Sequence, residues 1–439
     1  MNHFYEETIF ALSSGRLPSG IAVMRISGPQ TRFVIETICG NLLPRKAELR
    51  SFKNRNGGLI DKGLALFFPG PSSFTGEDCA EFHLHGGKAV VDSMITALYD
   101  FPGCRMAEAG EFSRRAYANG KFDLTAAEGL ADLIAAETDS QRRLALQISS
   151  GAQAQLYASW RTDLIRARAL IEAELDFADE SDVPGSVSDQ VWKQMGSLAE
   201  QINRHVRDGK RGFIVRDGYK VVIIGAPNAG KSSLLNTLAG TDVAIVSDEA
   251  GTTRDLIEIK LDLGGINVLV TDTAGIRETL GAVEKIGIER ALDRAANADL
   301  VLALYDLSNP IEMLSDVASD NVLRIGTKLD LVHSEIAGYD LLISTSTNVG
   351  IKEMVEALSQ KATEATGEIS DPLPTRRRHM ELLSAASIEL RAAIDDESAP
   401  LEVRAEYLRR ASHSLGRITG DVDVEDILDV VFSQFCIGK

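Results

Sequence analysis

The chain has 439 residues, 44% hydrophobic and 25% charged, which suits a folded protein of two to four domains and argues against a disordered one. With 46 Lys and Arg against 64 Asp and Glu the net charge is −18, so a polyanionic partner has to be met by a local basic surface rather than by the overall field. Cys39, Cys79, Cys104 and Cys436 show no C-x-x-C spacing, no apolar run approaches the ~20 residues of a membrane span, and MNHFYEETIF lacks the order of a signal peptide; the expected setting is the reducing cytoplasm, with no membrane association.

The first 120 residues read as a small α+β domain. Apolar runs at Gly20–Gly28, Gly63–Gly70 and Ala80–His85 alternate with helical spacing at Gln30–Cys39 and Lys88–Asp100. Glu81, His83 and His85 alternate along one strand face, the pattern either of metal ligands or of any half-exposed strand. Arg25 sits mid-strand between apolar neighbours. It is expected to pair with a strand carboxylate such as Glu81, and such a pair can equally anchor an anionic ligand.

Residues 121–217 form a first helical stretch. Ala126–Ile134 and a long run at Asp139–Phe177 carry an apolar stripe that needs a partner, Asp176–Gly185 reads as an acidic, proline-stopped loop, and Val191–Val206 resumes the helix.

Residues 218–370 hold the densest chemistry. Lys220–Leu238, KVVIIGAPNAGKSSLLNTL, is a strand, a loop and a helix start, and Gly225–Ser232 fits G-x-x-x-x-G-K-S. Backbone amides around Asn228, Ala229 and Gly230 would close on phosphates, Lys231 would reach the terminal phosphates, and Ser232, followed by Ser233, would hold Mg²⁺. Leu256–Leu263 and Ile266–Thr271, joined by Gly264-Gly265, read as a hairpin that ends in Asp272-Thr273-Ala274-Gly275. There a carboxylate can support Mg²⁺ and a glycine N–H can approach the γ-phosphate. Strands continue at Leu300–Tyr305, Val322–Ile325 and Leu341–Ile343, giving a doubly wound sheet. Two clusters would read the base. Asp330, in Thr327-Lys328-Leu329-Asp330, can accept both N1–H and the exocyclic amine of guanine, and backbone amides of Ser344-Thr345-Ser346 could meet O6. This favours GTP over ATP.

Residues 371–439 form a second helical stretch: a helix from Arg376-Arg377-Arg378-His379 to about Ile394, then Leu401–Leu415 and Val424–Phe435. The two helical stretches are expected to pack as one bundle with the nucleotide module inserted between them. The arginine trio reads either as a solvated helix start or as a contact to RNA phosphate.

The ordered set GAPNAGKS, GTTRD, DTAG, TKLD and STS, with SFTGED at Ser73–Asp78, GEF at Gly110–Phe112 and the terminal Cys436-Ile437-Gly438-Lys439, closely resembles the MnmE (TrmE) family of tRNA-modification GTPases along nearly the whole chain. The resemblance implies a multidomain α/β protein: an N-terminal α+β folate-binding domain that dimerises, a discontinuous α-helical bundle and an inserted Ras-like P-loop GTPase domain. It also implies a homodimer working with the flavoprotein MnmG on tRNA. That partnership would add an aminomethyl or carboxymethylaminomethyl group at C5 of the wobble uridine, with 5-formyl- or methylene-tetrahydrofolate as one-carbon source.

Carried over by position, Arg25, Glu81 and Lys121 would contact folate with Lys439 near the same pocket. Cys436 would lie near the chemistry or simply fix the tail. A K⁺ ion would be held by Asn228, by the carbonyls of Ser247 and Glu249, and by Thr252. Thr253 would close on Mg²⁺ and the γ-phosphate, GTP being cleaved to GDP with Glu284 orienting the water. Two rivals stay open: a ribosome-assembly switch without modification chemistry, and a folate-binding scaffold with an inactive nucleotide site. One position departs from the family, Thr327 standing where asparagine is usual. Loss of the amide is expected to remove a contact to the base and a brace to the phosphate loop, weakening guanine-nucleotide binding while Asp330 keeps the preference over adenine.

Overall fold

The structure is a computed structural model and describes residues 6–176, 187–245, 258–272, 297–309, 321–333, 336–368, 372–422, 425–433, 435 and 437–438. These divide into two units, one of Met1–Ala131, Ile148–Arg166 and Arg409–Lys439, the other of Asp132–Gln147 and Ala167–Leu408.

The first unit is built on six strands, β1 (Thr8–Leu12), β2 (Ser19–Ser27), β3 (Glu48–Lys53), β4 (Leu59–Phe68), β5 (Cys79–Gly86) and β6 (Cys104–Met106), in the order β3-β4-β5-β2-β1-β6. All pairings are antiparallel except β1 with β6. Alternation decides which face is covered: Ala22, Met24 and Ile26 of β2 and Ala80, Phe82 and Leu84 of β5 point into one core. Helices α1 (Thr31–Cys39) and α2 (Lys88–Tyr99) close that core with Val34, Ile38, Val91 and Met94. Arg25 and Glu81 lie between these apolar positions, on the other face.

That face carries charge beside a small apolar cluster of Ile9, Ala11, Ala107 and Phe112. On α3 (Glu111–Ala118), Arg115 is 1% exposed, its guanidinium 3.1 Å from Glu77 Oε1 and 2.9 Å from Glu111 Oε1, and it donates to the Glu7 carbonyl at 2.9 Å. Arg105 grips both Glu111 oxygens at 2.6 and 2.8 Å, and Ser27 Oγ donates to Glu77 Oε2 at 2.6 Å. The SFTGED and GEF motifs thus meet in one buried ion network.

Helices α4 (Leu124–Ala135), α5 (Asp139–Ser149), α6 (Ala152–Asp176) and α7 (Val187–Asp217) follow. The run expected as one helix over 139–177 is two, because Gly151 takes φ +86° and its N–H closes onto the Ile148 carbonyl at 2.9 Å. Helix α7 outruns its expected end at Val206, since Ile214 and Val215 keep its buried stripe going until Gly218. The acidic loop read at 176–185 lies, past Asp176, outside the described residues.

The second unit holds a sheet of β7 (Tyr219–Gly225), β8 (Glu258–Leu263), β9 (Ile266–Asp272), β10 (Leu300–Asp306), β11 (Val322–Thr327) and β12 (Leu341–Leu342), in the order β12-β11-β10-β7-β9-β8. Every pairing is parallel except the β8–β9 hairpin. The central strands are apolar on both faces because both are covered: Val221 and Ile223 enter one core with Leu300 and Leu302, while Val222 and Ile224 enter another with Val301 and Ala303. Helices α8 (Lys231–Ala239) and α9 (Ile351–Thr366) pack on the first of these.

Helix α10 (Arg377–Asp395) lies along α7, where Ser387 Oγ donates to Asn203 Oδ1 at 2.7 Å; α11 (Leu401–Thr419) and α12 (Glu425–Phe432) end the chain. The arginine trio divides: Arg376, 8% exposed, donates to Asp132 Oδ1 at 2.7 Å, while Arg377 pairs with Glu381 at the surface. Among the described residues no helix is long and apolar enough to cross a membrane.

Burial pushes the Glu111 carboxyl up, but hydrogen bonds from Arg105, the Glu108 N–H and Arg115 outweigh it and hold the group below the ordinary glutamate range. Its contribution to stability is therefore complete above that range and lost as pH falls through the depressed value. Replacing Arg115 by methionine leaves the buried Glu111 carboxylate and the partly buried Glu77 carboxylate short of a cation. It should destabilise the first unit by about 3–5 kcal/mol at neutral pH, a penalty that shrinks on acidification as the stranded carboxylates take up protons. Urea titrations of both proteins at pH 7 and pH 4 check this; equal midpoints at pH 7 would show the network to be dispensable.

Candidate functional site

The turn after β7 is shaped by two glycines. A Cβ on Gly225 would stand 2.7 Å from the Leu304 carbonyl oxygen, and Gly230, at φ +93°, delivers the chain into α8 with its first-turn amides directed back at the loop. Such a helix start draws anions through unpaired N–H groups and the helix dipole. Ala229 is buried, Asn228 is exposed and left-handed at φ +65°, and Ser232 and Ser233 are exposed in the first turn of α8. Lys231 Nζ donates to the carbonyls of Gly225 and Ala226 at 2.9 and 3.0 Å, which lays its ammonium across the loop.

The neighbouring strand ends face this turn. Asp272, 2% exposed, closes β9, and Ser232 Oγ donates to its Oδ2 at 3.3 Å. A hydroxyl and a carboxylate this close form a hard oxygen pair suited to Mg²⁺. At the end of β10, Asp306 accepts from Lys328 Nζ at 2.6 Å. Burial raises the Asp306 carboxyl, yet hydrogen bonds from Lys328 and Ser308 hold it below the usual range. Sequence reasoning passed over Asp306, although an acid closing an apolar strand is the signal that singled out Asp272.

Thr327, 3% exposed at the end of β11, departs from expectation. Its Oγ1 donates to the Ala229 carbonyl at 2.8 Å, with the Tyr305 carbonyl at 3.1 Å, so a hydroxyl does brace the phosphate loop. The expected loss of that brace is corrected: threonine reaches the loop because β11 ends beside it. Asp330 is exposed, and hydrogen bonds from Ser344 and Ser346 hold its carboxyl below the usual carboxylate range, keeping it an acceptor. Ser344 needs a second correction. Its backbone N–H is spent on the Val349 carbonyl at 2.9 Å and its hydroxyl on Asp330 Oδ1 at 2.6 Å, so it supports the carboxylate, and the amides left for a base are those of Thr345 and Ser346. Thr273, Ala274, Gly275, Ser247, Glu249, Thr252, Thr253 and Glu284 lie outside the described residues.

In the first unit Arg25 and Glu81 are register partners on β2 and β5. Arg25 Nε and Nη2 donate to Glu81 Oε1 at 3.1 and 2.9 Å, and both side chains are about a quarter exposed, at 23% and 22%. The Arg25 guanidinium lies 5.4 Å from the Phe74 ring centroid and 5.8 Å from that of Phe112. Lys121 Nζ donates to the Pro71 carbonyl at 2.8 Å, and Phe122 meets Phe74 at 6.0 Å, so one loop, residues 71–76, touches both the Arg25 end and the Lys121 end of this surface. Phe74 was not singled out in the sequence.

His83 Nε2 stands 3.7 Å from Glu81 Oε2 without a hydrogen bond, while His85 is drawn off to Asp61 at 2.9 Å; among the described residues no three His, Cys, Asp or Glu side chains converge as metal ligands. The chain end reaches the same unit, Ser13 Oγ donating to the Gly438 carbonyl at 2.8 Å and Ile437 bridging to Ala109. Cys436 and Lys439 lie outside the described residues.

A carboxylate placed as Asp330 is can accept both N1–H and the exocyclic amine of guanine, which adenine does not offer. Asp330→Asn should lower GDP affinity at least about 100-fold and admit xanthosine diphosphate, whose C2 carbonyl accepts from the new amide. Unchanged GDP affinity in titration calorimetry would remove Asp330 from base reading.

The family profile described as MnmE helical domain matches residues 124–436, and that described as GTP-binding protein TrmE N-terminus matches residues 8–121. The tRNA modification GTPase MnmE of Brucella melitensis biotype 1 is 64% identical over 436 residues, 99% of each chain, and that of Brucella abortus (strain 2308) is equally similar. Among solved structures, the G domain of the T. maritima FeoB iron transporter is 24% identical over 34% of this chain and 98% of that one, at a TM-score of 0.26. The FeoB G-domain from Methanococcus jannaschii matches 33% of this chain and 98% of its own at 0.25, and neither likeness carries an argument at such scores. Identity sustained from end to end, with two family profiles covering both terminal regions, shows that the chain belongs to the MnmE (TrmE) family of tRNA-modification GTPases.

Proposed function

We propose that this chain hydrolyses GTP as a K⁺-activated switch and, as a cytoplasmic homodimer acting with the flavoprotein MnmG, installs a (carboxymethyl)aminomethyl group at C5 of the wobble uridine of tRNA from a tetrahydrofolate one-carbon donor. The domains are 1–120 for folate, 121–217 and 371–439 for the helical bundle, and 218–370 for GTP. The observation that carries the reading is the convergence of the Gly225–Ser232 loop, Asp272, Thr327 and Asp330 at one sheet edge. It is joined by the relatives' shared name, tRNA modification GTPase.

In this reading the α8 amides and Lys231 receive the phosphates, while Asp330 with Thr345 and Ser346 orients the base. Ser232, with Asp272 beside it and Thr253 from the following loop, would hold Mg²⁺. The exposed carboxamide of Asn228, with Ser247, Glu249 and Thr252, would hold K⁺. Charge that builds between the β- and γ-phosphates would be offset by these two cations. Glu284 would orient the attacking water. In the N-terminal domain a guanidinium–carboxylate pair beside a phenyl ring suits the polar edge and flat face of a pteridine, with Arg25, Glu81 and Lys121 as its contacts, Lys439 nearby, and Cys436 close to the transferred carbon. Ordering of the loops around the γ-phosphate would draw the two GTP domains of the dimer together and relay that state to the folate pocket.

Turnover should be at least about tenfold faster in K⁺ than in Na⁺, and Glu284→Ala should lower it about 10²–10⁴-fold while leaving GDP binding intact. Arg25→Ala should weaken binding of 5-formyltetrahydrofolate by about 10–100-fold without changing GTP turnover. Equal turnover in the two salts would remove the K⁺ site; wobble uridine modified normally in a deletion strain, by mass spectrometry, would remove the modification role.

A further inference from the structure

The base-reading end of the nucleotide site can be followed proton by proton. Guanine offers N7 only as an acceptor, so a side chain that reads N7 must have a hydrogen to give. Thr327 has one, and it goes to the buried Ala229 carbonyl at 2.8 Å. Turning it toward a base would strand that carbonyl: Ala229 is 1% exposed, and the Tyr305 carbonyl at 3.1 Å offers Thr327 only another place to donate. The Ser344 proton goes to Asp330 Oδ1 at 2.6 Å, so in the 2.9 Å contact between the two serine hydroxyls it is Ser346 Oγ that donates to Ser344 Oγ, and its proton too is taken by a protein oxygen. Lys328 is anchored on Asp306 at 2.6 Å. The hydroxyls of Thr327, Ser344 and Ser346 are thus committed to building the site rather than to touching the ring.

We propose that this chain reads guanine without a side-chain contact to N7, so that its site accepts 7-deazaguanine nucleotides as well as it accepts GTP and GDP. The inference rests on the guanine-nucleotide reading above, and Thr327 is the residue that sets it. An asparagine amide carries two hydrogens, enough for the Ala229 carbonyl and N7 together; a threonine hydroxyl carries one, and the loop takes it. Recognition is left to Asp330 on the N1 and N2 edge and to the Thr345 and Ser346 amides at O6, groups that 7-deazaguanine presents unchanged.

Titration calorimetry of the full-length chain with GDP and 7-deaza-GDP tests this. The wild type should bind the two within about twofold of each other. Thr327→Asn should tighten GDP about fivefold, the worth of one neutral hydrogen bond, and leave 7-deaza-GDP nearly where it was, so that the ratio opens to about fivefold. Thr327→Val, close in shape but without the hydroxyl, should weaken both nucleotides in parallel. A wild-type preference for GDP of fivefold or more overturns the inference while leaving the guanine reading in place. Failure of the wild type to bind GDP at all overturns that reading first.

Discussion

Parallel strands that end on the same side of a sheet are the constraint on which the second unit depends. β7, β9, β10, β11 and β12 run in one direction, so Gly225, Asp272, Asp306, Thr327 and Ser344 fall along a single edge although they are far apart in sequence. β7 lies between β10 and β9, where the strand order changes sense, and the start of α8 opens into the crevice there. The apolar run of each strand serves two cores and also sets the depth at which its last residue emerges. The loop glycines, the Ser232–Asp272 pair and the Asp330 carboxylate are local solutions made useful by that shared edge.

The first unit meets a different demand. Its sheet covers one face with helices and apolar side chains, while the other combines a small apolar cluster with charge, and Arg115 is buried there among Glu77, Glu111 and the Glu7 carbonyl. In a low dielectric such an arrangement holds only when every charge is matched, and Arg105 and Ser27 complete the matching. This ties the 73–78 loop to β2 and α3, which is how Phe74 comes to lie against Arg25. The motifs by which the family is recognised are thus partly structural: they hold a surface on which a flat, polar ligand can rest, and the chain end is fastened to the same unit through Ser13.

Thr327 shows how a single hydrogen can be allotted between structure and recognition. The hydroxyl stabilises the loop that would carry the phosphates and has nothing left for the ring. Ser344 makes a similar choice, its amide bonding Val349 and its hydroxyl bonding the carboxylate. Both residues were legible in the sequence as members of the site, but their tasks were not, because a motif names a residue without saying which neighbour will claim its proton.

Read alone, the sequence determined the strand, loop and helix of the phosphate motif, the strands and their alternation with helices, the pairing of Arg25 with Glu81, and the family. Each follows from local propensity, spacing or a contiguous motif. It misjudged the helix interrupted at Gly151 and the end of α7, where a glycine's backbone and a continuing buried stripe outweighed the pattern. Only the tertiary structure decided that Asp306 anchors Lys328, that Arg376 turns inward to Asp132 while Arg377 stays at the surface, that Phe74 backs Arg25, and that the Thr327 hydroxyl braces Ala229. These are contacts between residues distant in the chain. Periodicity carries no information about which of two possible partners is nearer, and that distance is set by strand order, register and the packing inside each unit.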